Sequence, residues 1–255
     1  MTFRSILFRA WYWYVNVIDK KKEILFMNYG YHDSNEIIEL DEHDEPNRFS
    51  IQLYHRLAKM VDVKAKDIIE VGCGRGGGLA YITKHFFPKS ALGIDLDIRA
   101  ANFGNKHYHL DGLSFKQGNA QNLELKDESI DIVFNVESSH RYPNMDLFLN
   151  EVYRVLKPGG YFLLTDFRYA KDLDALLELF KQYKFVKFDE QWINSNVVEA
   201  LELDNARREA LVNKYAPPFF KKATHSFAGA IGSHTYNEIK NGGYVYFVFC
   251  FQKPL

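Results

Sequence analysis

The glycine-rich segment at residues 67–78 constrains the fold more than any other part of the sequence. Its first half is apolar and rich in β-branched residues, which is typical of a buried parallel strand. Gly72, Gly74 and Gly77 follow at the G-x-G-x-x-G spacing, and the residues after them predict a helix. We expect the first two glycines to let the backbone approach a ligand and the third to let the helix pack close to the strand. Such a unit is typical of doubly wound α/β folds that bind nucleotides.

The acid Glu70, two residues before the first glycine, indicates the class of ligand. A carboxylate there would repel a pyrophosphate bound at the helix N-terminus, which disfavours a dinucleotide. It suits an ammonium group, and S-adenosylmethionine (SAM) carries an ammonium and a sulfonium but no phosphate. The next predicted strand, residues 91–96, places Asp95 at its end, where an acid accepts hydrogen bonds from ribose hydroxyls. Asp95 therefore indicates a nucleoside, and Glu70 favours SAM over NAD.

Composition bounds the remaining classes. The 255 residues suit one α/β domain or one domain with an appendage, and 47% of them are hydrophobic. The formal net charge is −1 and no basic block interleaved with aromatics occurs, which disfavours a nucleic-acid substrate. The two cysteines, Cys73 and Cys250, and the histidines show no disulfide or metal-ligand spacing. We expect a chain without metal in a reducing cytoplasm.

After the glycine segment the sequence alternates strands with helices, and seven strands are predicted in all. The pattern therefore predicts an α/β fold with a doubly wound, mostly parallel sheet. Helices are predicted at residues 98–108, 145–156 and 172–183. An insertion at 191–243, between the last two predicted strands, contains a polar helix around 195–214. The strands beyond the first two are predicted at residues 114–118, 130–135, 161–164, 185–188 and 244–251.

The N-terminal part precedes this pattern. Residues 3–18 carry apolar side chains at helical spacing and are too few to span a bilayer. Two interpretations stay open: a helix packed on the domain, and a helix that contacts a membrane surface or an apolar substrate. A further helix is predicted at 48–61. We divide the chain into N-terminal helices and a lid at residues 1–62 and a cofactor-binding domain at 63–255, which includes a substrate cap at 191–243.

Several motifs together resemble the class I SAM-dependent methyltransferases: residues 70–76, 93–95 and 155–160, with a β-rich C-terminal end. Residues 28–31, 48–54, 72–78, 135–140 and 166–168 resemble more closely a bacterial subgroup of fatty-acid O-methyltransferases and phthiotriolone-type lipid methyltransferases. The resemblance implies a Rossmann-like fold with an N-terminal lid, SAM as cofactor and S-adenosylhomocysteine as product.

The resemblance also implies roles for individual residues. The glycine loop with Glu70 would hold the methionine end of SAM, Asp95 the ribose, and the residues after the third strand the adenine. Similar proteins often carry Asp where Asn119 stands and Trp where His32 stands. The residues expected to bind the cofactor are Tyr29, Tyr31, Glu70, Gly72, Cys73, Gly74, Asp95, Leu96, Asn119, Ala120, Asn135 and Glu137.

His140 and Asp166 are the candidate catalytic residues, because both follow strands at the edge where such folds bind ligands. His140 is expected to act as a general base or to orient the acceptor. Asp166 is expected to steady His140 or the substrate, or to cap a helix. Arg75 and Arg168 either bind a substrate carboxylate or pair with protein acids.

These features favour an O-methyltransferase that acts on a fatty-acid carboxylate or on a hydroxyl of a small lipidic or aromatic acceptor. A small-molecule N-methyltransferase and a non-catalytic SAM-binding regulatory protein stay open, and Glu70 disfavours a dehydrogenase. The acceptor is expected to be apolar, and assembly as a homodimer stays open. The aromatic residues expected to line the acceptor pocket are Trp11, Trp13, Phe219, Phe220 and Phe227.

Overall fold

The computed structural model describes residue 19 and residues 22–255. The helix predicted at residues 3–18, together with Trp11 and Trp13, lies outside the described residues. The seven strands are β1 (Asp67–Val71), β2 (Ser90–Asp95), β3 (Leu113–Gln117), β4 (Ile130–Val136), β5 (Leu156–Tyr169), β6 (Val186–Trp192) and β7 (Tyr244–Gln252).

Nine α-helices occur among the described residues. Those before β6 are α1 (Arg48–Ala58), α2 (Gly77–Phe86), α3 (Ile98–His107), α4 (Met145–Val155) and α5 (Ala170–Lys181). Those between β6 and β7 are α6 (Asn194–Leu203), α7 (Asn205–Tyr215), α8 (Lys221–Phe227) and α9 (His234–Lys240).

The strands form one sheet in the order β3-β2-β1-β4-β5-β7-β6. β1 to β5 pair in parallel, and β7 runs antiparallel between β5 and β6. The strand order reverses direction between β1 and β4, and ligands of such sheets bind in the crevice outside the carboxyl ends at that point. The predicted seven-stranded, mostly parallel α/β fold is confirmed, and the crevice locates the candidate site.

Both faces of the sheet are covered by helices, which explains the nearly continuous apolar runs in its central strands. Because side chains alternate along a strand, Ile68 and Ile132 belong to one core and Ile69 and Val133 to the other. The first core also contains buried residues of α1 and of the segment at 29–38. It is therefore continuous across the predicted division at residues 62 and 63, and that division stays a prediction.

Two elements differ from the sequence prediction. The fifth strand was expected at 161–164, but β5 is 14 residues long and begins before Gly159, whose φ of +78° only glycine adopts readily. Parallel pairing with β4 ends at Thr165, whereas antiparallel pairing with β7 continues to Tyr169. Asp166 thus lies just beyond the parallel part of the strand and not at its end.

The cap insertion also differs in detail. β6 extends to Trp192, so the insertion comprises residues 193–243 and contains four helices. The polar helix predicted around 195–214 is two helices, because the backbone leaves helical geometry at Asp204. None of the helices in the described part of the chain has the length and apolar character needed to cross a lipid bilayer.

Candidate active site

The glycine turn after β1 is tied to the end of β2. The Gly72 N–H donates to the carbonyl of Ile94 at 2.8 Å, and the Gly74 N–H donates to Oδ2 of Asp95 at 2.9 Å. Gly72 has a φ of +78°, and a Cβ there would lie 2.4 Å from Oγ of Ser138. Any side chain at this position would collide, so the close approach of the β4 loop requires glycine.

The third glycine of the motif has a different role from the one predicted. A Cβ on Gly77 would lie 2.8 Å from the carbonyl oxygen of Leu25 and 3.0 Å from the ring of Phe26. Gly77 therefore gives room to the segment that precedes the lid, and the predicted role in helix-to-strand packing is wrong. The N-terminal segment thus packs directly on the start of α2.

Glu70 is fully buried on β1. Its Oε1 accepts a hydrogen bond from the Tyr54 hydroxyl at 2.7 Å, and its Oε2 has no hydrogen-bond partner among the described residues. Burial raises the pKa of Glu70 to about 8, against the opposing effects of the Tyr54 hydrogen bond and of the backbone N–H of Leu79. A buried acceptor without a partner is costly. The site therefore fits a ligand that brings N–H donors and positive charge, as the ammonium of SAM does.

The ends of β2 and β3 lie side by side. The Gly118 N–H donates to the Asp95 carbonyl at 2.9 Å, which brings Asp95 and Leu96 next to Asn119 and Ala120. The Leu96 side chain is 59% exposed, which gives an apolar surface at the sheet edge. The structure thus brings these four residues together, as a nucleoside site requires. Their contact with a cofactor stays a prediction.

Two polar residues follow β4 at the crevice. Nδ2 of the buried Asn135 donates to the Val71 carbonyl at 2.8 Å, which links β4 to the glycine turn. Glu137 has a φ of +45°, which is uncommon for a residue with a side chain. Its Oε1 accepts hydrogen bonds from the Tyr29 N–H at 2.7 Å and from the Tyr246 hydroxyl. Burial raises the pKa of Glu137 to about 8.

The segment predicted as a lid is held closed from three sides. Tyr29 and Tyr31 are both buried. Glu137 binds the Tyr29 N–H, and Nη2 of Arg208 in α7 donates to the Tyr29 carbonyl at 3.0 Å. The Tyr31 N–H donates to the Phe49 carbonyl in α1 at 3.0 Å. The lid therefore connects the sheet edge, the cap and α1.

His140 and Asp166 form a dyad. Nδ1 of His140 lies 2.7 Å from Oδ1 of Asp166, and the His140 N–H donates to Oδ2 at 2.9 Å. The Ser139 hydroxyl donates to Oδ2 at 2.6 Å, and Arg168 pairs with the same carboxylate at 3.1 Å. The His140 ring lies 4.4 Å from the Phe167 ring, centroid to centroid. Asp166 therefore orients the imidazole and does not cap the following helix.

The protonation states follow from this geometry. Burial works to raise the pKa of Asp166, but the charges of His140 and Arg168 and the hydrogen bonds hold it well below its usual range. Burial lowers the pKa of His140, against the opposing effect of Asp166. At neutral pH the aspartate is ionised and the imidazole is neutral. Nδ1–H then donates to Asp166, and Nε2 carries the lone pair that can accept a proton.

The two arginines proposed for a substrate carboxylate pair with protein groups instead. Nη1 of Arg75 lies 2.7 Å from Oδ2 of Asp19, and both side chains are buried. Arg168 contacts Asp166 and donates to Ser139 Oγ at 2.8 Å. Of the two interpretations of these arginines, pairing within the protein is the one observed.

Three polar contacts of the site were missed from the sequence: Tyr54 on Glu70, Tyr246 on Glu137 and Ser139 on Asp166. Tyr54 and Tyr246 lie in apolar runs where a tyrosine is expected to be a core residue, so no local signal distinguishes them from residues of the hydrophobic core. Ser139 stands beside His140, and that adjacency is the one signal that pointed to it.

The predicted acceptor aromatics are only partly brought together. Phe227 lines a cavity between the lid and the cap helices α7 and α8, whereas Phe220 is 43% exposed. Trp11, Trp13 and the side chain of Phe219 lie outside the described residues.

Comparisons with known proteins identify the family. A family model described as a methyltransferase domain matches residues 69–164. The fatty-acid O-methyltransferase of Mycolicibacterium smegmatis is 39% identical over 236 residues, which is 92% of this chain and 85% of that protein. The phthiotriol/phenolphthiotriol dimycocerosates methyltransferase of Mycobacterium tuberculosis is 36% identical over 249 residues, 96% of this chain and 92% of that protein. The chain belongs to the SAM-dependent methyltransferases.

The fold of this methyltransferase agrees with a solved structure of low sequence identity. A geranyl diphosphate C-methyltransferase from Streptomyces coelicolor, in complex with Mg²⁺, geranyl diphosphate and S-adenosylhomocysteine, superimposes with a TM-score of 0.69 at 15% identity, over 99% of each chain. The predictions of the family, of catalysis and of SAM as cofactor are confirmed. The dehydrogenase and the non-catalytic SAM-binding protein are set aside.

Proposed function

We propose that this methyltransferase transfers the methyl group of SAM to a hydroxyl oxygen of a small lipidic acceptor. The observation that carries the proposal is the His140–Asp166 dyad at the carboxyl edge of β4 and β5. The side chain of His140 is 16% exposed, so its ring is held by the protein and still reaches the crevice. The relatives named for fatty-acid and phthiotriol substrates support a lipidic acceptor.

The dyad suits the chemistry of a hydroxyl acceptor. SAM supplies an activated methyl group, so the protein chiefly positions the acceptor and excludes water. Nε2 of His140 accepts the proton of the hydroxyl as the oxygen attacks. Asp166 holds the imidazole in the required tautomer and stabilises the imidazolium that forms. A positioned base of this kind contributes about 10²–10⁴ in rate.

A fatty-acid carboxylate is the second candidate acceptor, favoured by the 39% identity to the fatty-acid O-methyltransferase. A carboxylate is ionised at neutral pH and requires no base. The Nε2 lone pair of neutral His140 would face its oxygens unfavourably, whereas an imidazolium would bind them. The two acceptors therefore predict opposite effects of pH: hydroxyl methylation needs neutral His140, and carboxylate methylation gains from protonated His140.

The test uses acceptors that differ only in the head group. Dodecanol, dodecanoic acid and dodecylamine are incubated with methyl-labelled SAM, and the products are identified by mass spectrometry. We expect methyl ether formation, which depends on His140. An ester as the sole product would support the second candidate, and N-methylation alone would contradict both.

A further inference from the structure

A cavity of about 90 Å³ lies between the lid segment and the cap helices α7 and α8. A single water molecule requires only about 10–15 Å³, so the space suits a larger group. Its walls are mainly apolar. The apolar residues that define it are Ile24, Phe26, Met27, Leu211, Val212 and Phe227.

The charged side chains in the cavity wall are Arg207 and Arg208, and their donors are used within the protein. Both guanidinium groups donate to Asp204, at 2.7 Å and 2.9 Å. Arg208 also donates to the carbonyls of Tyr29 and Ala228. The wall therefore presents mainly carbon surface and arginines that already bind protein acceptors, which suits an uncharged chain and not an ionic head group. Oδ1 of Asn28, also in the wall, is buried without a hydrogen-bond partner among the described residues.

Two sets of contacts connect the cavity wall to the neighbourhood of the dyad. Tyr29 forms part of the wall, its ring lies 5.6 Å from the Phe167 ring, and the Phe167 ring lies 4.4 Å from that of His140. On the cap side, the guanidinium carbon of Arg141, the residue after His140, lies 5.7 Å from the centroid of the Phe227 ring. The ring of Phe167 therefore lies between the Tyr29 wall and the His140 imidazole, so the cavity and the dyad are close neighbours.

We propose that this cavity binds the hydrocarbon chain of the methyl acceptor, next to the dyad that contacts its oxygen. The inference rests on the proposed function and adds the site that selects acceptors by chain length. Each methylene group that enters the cavity is expected to raise kcat/KM roughly fourfold, because carbon surface leaves water.

The first experiment fills the cavity. Leu211→Trp adds bulk to the wall, and kcat/KM is measured for alcohols from butanol to dodecanol. We expect Leu211→Trp to lower kcat/KM for dodecanol by about tenfold or more relative to its effect on butanol. The matched control is Leu203→Trp on α6, where the leucine is 56% exposed, and it should keep the wild-type profile. A folded Leu211→Trp protein with the wild-type chain-length profile would overturn the proposal.

The second experiment locates the chain without relying on a variant or on catalysis. A dodecanol derivative with a diazirine near its methyl end is photolysed with the wild-type protein and SAM, and labelled peptides are mapped. Labels at residues 24–29 or 211–228 support the cavity, and labels confined to other peptides overturn it. If the probe labels the cavity but no alcohol is methylated, the hydroxyl reaction fails while the chain site stands.

Discussion

At the residue scale, the surroundings of the buried Glu70 side chain indicate the kind of ligand that it binds. One carboxylate oxygen is satisfied by Tyr54, and the other has no partner in the described part of the chain. With a pKa of about 8, Glu70 is mostly protonated at pH 7. A bound ammonium would favour the carboxylate and therefore drive its proton off.

Proton release on SAM binding tests this role of Glu70. We expect calorimetry at pH 7 in buffers of different ionisation enthalpy to show net proton release, and SAM affinity to rise with pH towards 8. Glu70→Gln should abolish the release and weaken SAM binding by about 1.5–3 kcal/mol, the usual worth of a hydrogen bond to a charged group. Glu178→Gln, at an exposed ion pair with Lys181, is the control. Unchanged proton release in Glu70→Gln would show that Glu70 does not meet the ammonium.

In the His140–Asp166 dyad, the surroundings of the buried Asp166 carboxylate likewise determine its role. Four donors from Ser139, His140 and Arg168 surround its buried carboxylate. This number of contacts fixes both its charge and its position, so the imidazole that it holds has one orientation. A histidine in a loop thereby becomes a rigid part of the site.

At the scale of elements, the Asp204 carboxylate supports one of the connections between the cap and the lid. Asp204 lies between α6 and α7, where an acid also suits the N-terminal end of the following helix. It binds Arg207 and Arg208, and Arg208 in turn binds the carbonyl of Tyr29. A buried ion pair in the cap therefore positions one of the side chains that bind the lid.

Removing Asp204 tests this connection. Asp204→Ala leaves Arg208 buried without its partner, which should lower the free energy of unfolding by about 3–5 kcal/mol. Urea denaturation measures the change. The matched control is Asp174→Ala on the surface of α5, which should have little effect. Equal stability of the two variants would contradict the role given to Asp204.

At the scale of the whole molecule, the local sequence pattern predicted those strands whose bounds depend on interactions between residues close in sequence. The glycine turn and the apolar runs predicted β1, β2 and β4 to within a residue or two, because buried parallel strands have a distinctive composition. The length of β5 was not predictable. It depends on pairing with β7, which lies more than 80 residues away in the sequence, as the Thr165–Phe247 contact shows.

The residues of the candidate site were likewise predicted only in part. Acids and histidines at strand ends were identified from the sequence, since strand ends meet at one edge of the sheet. Their partners were not, because Tyr246 reaches Glu137 across 109 residues and Arg208 reaches Tyr29 across 179. The pairing of Arg75 with Asp19 likewise could be identified only from the folded structure.

We propose that neutral His140, held by Asp166, removes a proton from a hydroxyl acceptor. Because burial lowers its pKa below the ordinary value of about 6.5, His140 is neutral at pH 7 and becomes charged only in acid. An imidazolium cannot accept a proton. Hydroxyl methylation should therefore be lost as the pH falls through the His140 pKa and be constant above it.

The most direct measurement is the pH dependence of kcat/KM for an alcohol acceptor, over the range in which circular dichroism shows the protein folded. We expect the wild-type rate to rise with pH, with a midpoint below 6.5, and to level off near neutrality. His140→Ala should be about 10²–10⁴ slower without that inflection, at unchanged SAM affinity. His43→Ala, where the side chain is 74% exposed, should match the wild type. A wild-type rate that is flat or falls as the pH rises, or a fully active His140→Ala enzyme, would contradict the account.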